Sequence, residues 1–244
     1  MLKYITLGII QGLTEFFPVS SSGHLVIMQR ILGVSGEEVA LSAFLHLGTV
    51  CALLLFFFRD ILRIFKEAKT IFLILVVTVI TGVIGLAGKN FFESLFSRPR
   101  AVAYSLIVTG IILILTRKVK DPKREKVNLK DACLLGLTQA IAIIPGISRS
   151  GITISTLLFR KIDREVAFKF SFLASIPAIL GANLLEIKKI ELSLTPIWLA
   201  GFFASLLSGL LALFLLKRIL QQAKFHYFGY YCIIVAIITL LFLK

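Results

Sequence analysis

Charged side chains are scarce in this sequence. Only 16% of its 244 residues are Asp, Glu, Lys or Arg, whereas about a quarter of a typical soluble domain is charged. Acidic residues number 13 against 27 basic ones, which gives a net charge of +14. A nucleic-acid-binding protein would carry its basic residues on one face of a soluble domain, and no stretch here is polar and long enough to form one. We therefore expect no nucleic-acid partner.

Cysteine is equally sparse. Its three residues, Cys51, Cys133 and Cys232, are scattered through apolar segments. Their spacing fits neither a disulfide framework nor a metal-ligand motif. The sequence therefore predicts that they behave as small buried hydrophobic residues.

Hydrophobic residues are abundant instead. They make up 58% of the chain, and the mean hydropathy is +0.96. Apolar runs at 40–58, 71–88, 101–116 and 227–243 reach or approach the roughly 20 residues that cross a hydrocarbon core of about 30 Å as a helix. A membrane β-barrel would need short segments of alternating polarity, which are missing. The pattern predicts an all-α polytopic membrane protein in contact with membrane lipids.

Two short polar segments interrupt this apolar pattern. The first, Pro-Val-Ser-Ser-Ser-Gly-His at 18–24, separates helical patterns, and the segment at 145–150 does the same. A helix of about 15 residues rises only about 22 Å, which is too short to cross. We therefore predict two re-entrant helix–loop–helix pairs, at 3–33 and 130–160, whose broken backbone lies inside protein or a wet cavity.

The two pairs belong to an internal repeat with an offset of 128 residues. The matching positions are Gly8 with Gly136, Gln11 with Gln139, Ser20 with Ser148, Ser22 with Ser150, and Gly23 with Gly151. Three predicted crossings follow each pair, at 39–58, 70–88 and 101–117 in the first repeat (1–117), and at 165–185, 196–216 and 227–243 in the second (129–244). A re-entrant pair returns to its own side and three crossings change side, so one membrane domain would contain two inverted repeats. Such folds bind their ligand near the midplane, where the broken helices meet.

The distribution of Lys and Arg predicts the orientation of the chain. Of these residues, 17 lie in the segments 59–69, 117–130, 160–164 and 217–224, and 8 lie at the opposite side. Since cytoplasmic loops are enriched in Lys and Arg, the richer side should be cytoplasmic. Both termini and the first re-entrant pair would then face outside.

Arg149 is the only charged residue between positions 132 and 159. Its guanidinium stays protonated and at membrane depth needs an anion or a partner. The sequence favours an anion site for phosphate, because two helix N-termini, the fork of Arg149 and several hydroxyl groups would lie together. The hydroxyl groups belong to Ser20, Ser21, Ser22, Ser148, Ser150 and Thr153. The alternative is that the serines only cap helices and that Arg149 pairs with Glu15 to hold the bundle together.

Glu15 and Gln11 share a helix face because they are four residues apart. A carboxylate at this depth is expensive and usually functional, so Glu15 could orient His24, bind a divalent cation or act as a base. Ser21 could be a nucleophile with His24 as base or acid; alternatively, a water activated by His24 or Glu15 attacks. The same inverted broken helices would also suit a lipid-phosphate flippase or an anion transporter.

The segments QGLTEFFPVSSSGH at 11–24, PGISRSGIT at 145–153 and FSFLASIP at 170–177, with the spacing between them, closely resemble the undecaprenyl-pyrophosphate phosphatase family, also called bacitracin-resistance proteins. The resemblance extends over the whole chain. It implies an integral enzyme of the bacterial plasma (inner) membrane that converts a C55 polyprenyl diphosphate to the monophosphate, the lipid carrier for cell-wall glycan synthesis.

The resemblance also implies site residues and a cofactor. By motif position, the family's functional residues correspond to Glu15, Ser21, His24, Ser148, Arg149 and Thr153. It implies Mg²⁺ or Ca²⁺ as cofactor, six crossings with two re-entrant pairs, and an active site that opens outward. Many members have Glu where this chain has Gln11. The Gln argues against this position as an essential base or charged metal ligand, so Gln11 is expected to bind substrate and Glu15 is left as the acidic metal ligand. A second copy of the chain, forming a homodimer, is a further candidate partner.

Overall fold

The described part of the chain is mostly helical and contains no named strand. The computed structural model describes residues 1–31, 38–96, 98–187 and 195–242. Its twelve α-helices are α1 Leu2–Phe16, α2 Ser21–Ile31, α3 Glu38–Phe56, α4 Phe58–Ile64, α5 Ala68–Ala87, α6 Lys89–Phe96, α7 Pro99–Leu115, α8 Leu129–Ile141, α9 Arg149–Phe159, α10 Arg164–Ile187, α11 Pro196–Gln221 and α12 Tyr227–Phe242. A 3₁₀ turn, Thr116–Lys118, extends α7.

Both predicted helix–break–helix pairs are present. The helix α1 gives way to α2 across residues 17–20, and α8 gives way to α9 across residues 142–148. Each break contains a residue in the left-handed region, Ser20 with φ 68° and Gly146 with φ 94°, and neither helix can continue through it. With 15 and 13 residues, α1 and α8 rise only about 20–22 Å. Positions 32 and 33 of the first predicted pair lie outside the described residues.

The remaining long helices coincide with the predicted crossings. Four are long and apolar enough to span a membrane, namely Ala68–Ala87, Arg100–Lys118, Arg164–Asn183 and Pro196–Gln221. A fifth is formed if Ala40–Phe56 and Phe58–Ile64, which meet at 67°, count as one span, and Tyr227–Phe242 is a shorter apolar helix. The prediction of an all-α polytopic membrane protein is therefore confirmed. The bend at Phe57 and the short helix α6 were not predicted.

The helices that precede the breaks pack across the two halves of the chain. The helix α1 lies along α11, and α8 lies along α5. The approach of α1 to α11 is close because Gly12 has no side chain; a Cβ at Gly12 would lie 2.0 Å from Ser208 Oγ and 2.4 Å from the carbonyl oxygen of Ser205. Each of these two helices thus packs on a helix of the other half, while the two inverted repeats and their boundaries stay a prediction.

The basic segments that were predicted to share one side do meet. The backbone of Arg124 pairs with Lys161 and Asp163, joining 117–130 to 160–164. Lys169 lies 3.5 Å from Asp60 and 3.4 Å from Glu165, and Lys217 lies 3.2 Å from Glu165, which joins 217–224 to the region of 59–69. These four segments therefore lie at one end of the bundle.

Candidate active site

The two broken loops are in direct contact at the centre of the site. The backbone N–H of Gly146 donates to Ser20 Oγ over 3.1 Å, and Ser150 Oγ donates to the carbonyl oxygen of Phe17 over 3.3 Å. A serine hydroxyl of each pair is thus hydrogen-bonded to the loop backbone of the other pair. The N-termini of α2 and α9 are brought together by these contacts, as the repeat predicted.

A threonine on α7 fixes the second loop. The hydroxyl of Thr109 donates to the carbonyl oxygen of Gly146 (3.0 Å) and accepts from the backbone N–H of Ser148 (3.1 Å). All the atoms involved are buried, so each of these hydrogen bonds satisfies a backbone group that has no water available. Thr109 therefore sets the path of the loop that precedes Arg149.

Glu15 is the centre of a cluster of polar side chains. Ser21 Oγ donates to Glu15 Oε2 over 2.6 Å, and Gln11 Nε2 donates to the same oxygen over 3.2 Å. Arg149 Nη2 donates to the other carboxylate oxygen, Oε1. The side chains of Glu15 and Arg149 are only 8% and 17% exposed. The cluster joins the first loop to the second through a buried ion pair.

His46 on α3 is a further member of the cluster. Its Nε2 lies 3.4 Å from Glu15 Oε2, within ion-pair distance when the ring is protonated, and its Nδ1 donates to the carbonyl oxygen of Ser42 over 2.8 Å. We expected His46 to be packing or a weak accessory. It is the only residue among His, Asp, Glu, Lys and Arg in the apolar run 40–58, and that isolation is the signal that could have identified it.

One hydrogen-bond partner of His24 lies outside the sequence motifs described above. Its Nδ1 lies 2.8 Å from the carbonyl oxygen of Ser20, and its Nε2 lies 2.8 Å from the hydroxyl of Tyr231 on α12. The sequence suggested His24 as the base for Ser21, but the Ser21 hydroxyl donates to Glu15. Tyr231 was missed because contacts between residues 207 positions apart leave no trace in local patterns.

The other predicted hydroxyl groups are engaged within the protein. Ser148 Oγ accepts from the Gly151 N–H and caps α9, with Ser150 Oγ 3.3 Å away. The hydroxyl oxygens of Ser20 and Ser22 are likewise 3.3 Å apart. Thr153 donates to the carbonyl oxygen of Arg149 (2.6 Å) and lies 2.7 Å from Ser171 Oγ. Helix capping and the Glu15–Arg149 pair, which were the alternative to an anion site, are thus both present.

Asp131 anchors α8 and α9 at their far end. Asn128 and Asp131 form a capping box at the start of α8, and Asp131 Oδ1 accepts from Arg124 (2.7 Å) and Arg160 (2.9 Å). Burial alone would raise the pKa of the Asp131 carboxyl, but hydrogen bonds from Arg160, the Asn128 N–H and Arg124 outweigh burial and lower that pKa. The carboxylate therefore ties the polar linker to both helices of the second pair.

Comparison with known proteins shows the family. The model of the family described as Bacitracin resistance protein BacA matches residues 4–238. This chain belongs to that family. It is 42% identical to the undecaprenyl-diphosphatase of Halothermothrix orenii, over 99% of this chain and 97% of the relative. It is 41% identical to the undecaprenyl-diphosphatase of Thermotoga maritima (97% and 98%) and 40% identical to that of Methanococcus maripaludis (99% and 100%).

The cluster around Glu15 contains only a few oxygen atoms that could bind a divalent cation. Among the described residues, no group of three His, Cys, Asp or Glu side chains could hold a metal ion. Gln11 Oε1, however, is buried beside Glu15 and has no hydrogen-bond partner in the described part of the chain. Mg²⁺ is commonly held by one or two protein oxygens together with substrate phosphates. Glu15 and Gln11 fit that partial donor set.

Proposed function

We propose that this chain hydrolyses undecaprenyl diphosphate, or a similar polyprenyl diphosphate, to the monophosphate and inorganic phosphate. The observation that carries the proposal is the Ser21–Glu15–Arg149 cluster, in which a hydroxyl, a carboxylate and a guanidinium are held together at the junction of two helix N-termini. The reaction recycles the lipid carrier for cell-wall glycan synthesis, and membership of the bacitracin resistance family fits resistance to that antibiotic.

Arg149 binds the diphosphate and also controls Glu15. A planar guanidinium binds phosphate through two parallel hydrogen bonds, and without substrate it donates to Glu15. When the diphosphate binds the guanidinium of Arg149 in place of Glu15, the Glu15 carboxylate loses this cationic partner and can accept the proton of Ser21. Substrate binding is thereby coupled to activation of the hydroxyl group.

Ser21 is the candidate nucleophile. Its oxygen attacks the terminal phosphorus, its proton passes to Glu15, and the bond from that phosphorus to the bridging oxygen breaks, which releases the lipid monophosphate. Water then hydrolyses the phosphoserine. In the other route, a water positioned by Glu15 attacks directly. His24 serves in either route as the second acid–base group. The N–H groups at the N-termini of α2 and α9, together with the hydroxyls of Ser20, Ser22, Ser148, Ser150 and Thr153, would line the phosphate site.

A divalent cation, Mg²⁺ or Ca²⁺, would be held by oxygens of Glu15 and Gln11 together with the diphosphate, where it would neutralise phosphate charge. Chelation should then lower phosphate release. Restoration by added Mg²⁺ but not by monovalent salt would identify the requirement.

Phosphate release by the purified protein in detergent tests the assignment. Arg149→Lys keeps the charge but removes the planar fork, so we expect kcat/KM to fall about 10²–10³-fold. Arg63→Lys on α4, an exposed arginine, is the matched control and should match wild type. Wild-type rates for both Arg149→Lys and Glu15→Gln would contradict the proposal. Ser21→Ala separates the two routes, because activity survives this change only if water attacks directly.

We propose an extracytoplasmic active site as well. The four basic segments meet at one end of the bundle, and the richer side is expected in the cytoplasm. Cysteine labelling from outside cells, at residue 3 and at residue 118, tests this orientation; labelling at residue 118 alone would reverse it. The homodimer stays a prediction that cross-linking in membranes can test. Lipid flux without hydrolysis in proteoliposomes would instead support a flippase or transporter.

A further inference from the structure

Both ring nitrogens of His24 have a hydrogen-bond partner. A carbonyl oxygen can only accept, so the 2.8 Å contact with Ser20 requires a proton on Nδ1. In the neutral ring, Nε2 then carries a lone pair and accepts from the hydroxyl of Tyr231, also at 2.8 Å. The two contacts therefore select one tautomer of His24, with Nε2 as the nitrogen that can receive a proton.

Tyr231 is held firmly against the first loop. Its ring is nearly parallel to that of His24, at 9° with 5.7 Å between the centroids. The next residue, Cys232, is buried and donates from Sγ to the carbonyl oxygen of Pro18 over 3.5 Å. Two residues before Tyr231, α12 is packed closely on α7, where Gly229 faces Gly110. The helix α12 thus contacts the first loop and its following helix through two successive residues.

We propose that Tyr231 is a positioning residue for His24: it fixes the tautomer and the ring orientation that the acid–base role requires. This inference rests on the proposed function, in which His24 exchanges a proton during diphosphate hydrolysis. His24 is only 9% exposed whereas Tyr231 is 45% exposed, so the hydroxyl lies at the boundary of the buried site. Without it, Nε2 loses its partner and the ring orientation is held only by the Nδ1 contact with Ser20.

The competing explanation is purely mechanical. The same hydrogen bond could merely fasten α12 to α2, as the contact of the next residue, Cys232, fastens α12 to Pro18 of the loop. A fastening role predicts a loss of stability that does not depend on His24. A positioning role predicts an effect on turnover that vanishes once His24 is replaced, because Tyr231 then has nothing to position.

The first experiment is Tyr231→Phe, which removes only the hydroxyl oxygen. We expect kcat to fall about five- to tenfold, the rate equivalent of one net hydrogen bond. KM should change less than about twofold, because the Tyr231 hydroxyl bonds to His24 and not to a residue proposed to line the phosphate site. Tyr230→Phe is the matched control, since Tyr230 is the neighbouring tyrosine on α12, is about as exposed as Tyr231, and its ring contacts Tyr227. It should match wild type. Wild-type kcat for Tyr231→Phe would overturn the proposal.

The second experiment places both changes in a double-mutant cycle. His24→Gln should lower kcat about 100-fold, and adding Tyr231→Phe should then change kcat by less than about twofold. A further five- to tenfold loss in the His24→Gln background would overturn the positioning role in favour of fastening. Wild-type kcat for His24→Gln would instead contradict the acid–base role of His24, which is a failure of the proposed function and not of the Tyr231 geometry. Rates are taken from the monodisperse fraction, so misfolded protein does not enter the comparison.

Discussion

Gly146→Ala should abolish most activity while leaving the protein folded. Gly146 has a φ of 94°, a conformation that costs a residue with a side chain on the order of 1–3 kcal/mol. The added Cβ would also lie 2.3 Å from the carbonyl oxygen of Val102 and 2.7 Å from Ser105 Cβ, both on α7. Since neither neighbour is a flexible side-chain end, the loop has to move.

The movement would disturb the site because the Gly146 backbone holds both loops together. Its N–H donates to Ser20 Oγ and its carbonyl oxygen accepts from Thr109. Arg149 follows three residues later on the same loop. A displacement of about 1 Å at a positioning group can lower a rate about 10²-fold, so we expect a loss of that order in kcat/KM. Phosphate release measures the rate, and thermal unfolding in detergent measures the accompanying destabilisation.

Gly82→Ala is the matched control for this prediction. Gly82 lies in the middle of α5, and no described atom lies within 4 Å of an added Cβ. Alanine is also the better helix former, by about 1 kcal/mol, so activity should be unchanged and the melting temperature unchanged or higher. A Gly146→Ala variant with a rate within about threefold of wild type and an unchanged melting temperature would refute the reasoning.

Three further predictions concern the support of the site. Thr109→Val leaves the buried carbonyl of Gly146 and the N–H of Ser148 without their partner, so we expect about 2–4 kcal/mol less stability and a lower kcat/KM. Asp131→Asn should destabilise the protein by about 1–2 kcal/mol at pH 7, because it leaves two partly exposed arginines with a neutral partner. As the pKa of Asp131 is lowered in the folded state, its stabilisation is complete above about pH 5 and is lost as the pH falls through about 4 and below; the gap between wild type and variant should close in that range. Gly12→Ala should prevent α1 from approaching α11 and give aggregated protein on size-exclusion chromatography.

Thermal unfolding as a function of pH checks the first two of these changes. Two changes are the controls. Thr70→Val removes a solvent-exposed hydrogen bond to Glu67 and is the control for Thr109→Val. Gly181→Ala, where nothing outside the helix's own neighbouring backbone lies within 4 Å of an added Cβ, is the control for Gly12→Ala. A destabilisation of Asp131→Asn that persists unchanged at pH 3 would rule out the charge as its cause, and a monodisperse Gly12→Ala protein would contradict the close-packing argument.

The sequence predicted the helices and the two breaks because both are local properties. Long apolar runs predict the crossings, and clusters of Pro, Gly and Ser predict the breaks. Glu15 and Arg149 could be singled out because each is a lone charge in an apolar surrounding, although their pairing was only one of two interpretations. His46 stood out as a lone histidine, but its contact with Glu15 could not be foreseen, and Tyr231 could not be assigned at all, since both contacts depend on how α3 and α12 are rotated and placed against α1 and α2. The Asp131 contacts likewise depend on where the polar linker folds back.

The packing of α1 on α11 has a consequence for how the chain is made. The helix α1, which carries Glu15, is synthesised long before α11, the helix on which it packs, because α11 begins only at Pro196. Arg149 is likewise added more than a hundred residues after Glu15. During translation Glu15 must therefore wait for Arg149. The candidate site is complete only after both α9 and α11 have been made, so a nascent chain stopped before α11 should still be open to proteolysis at α1.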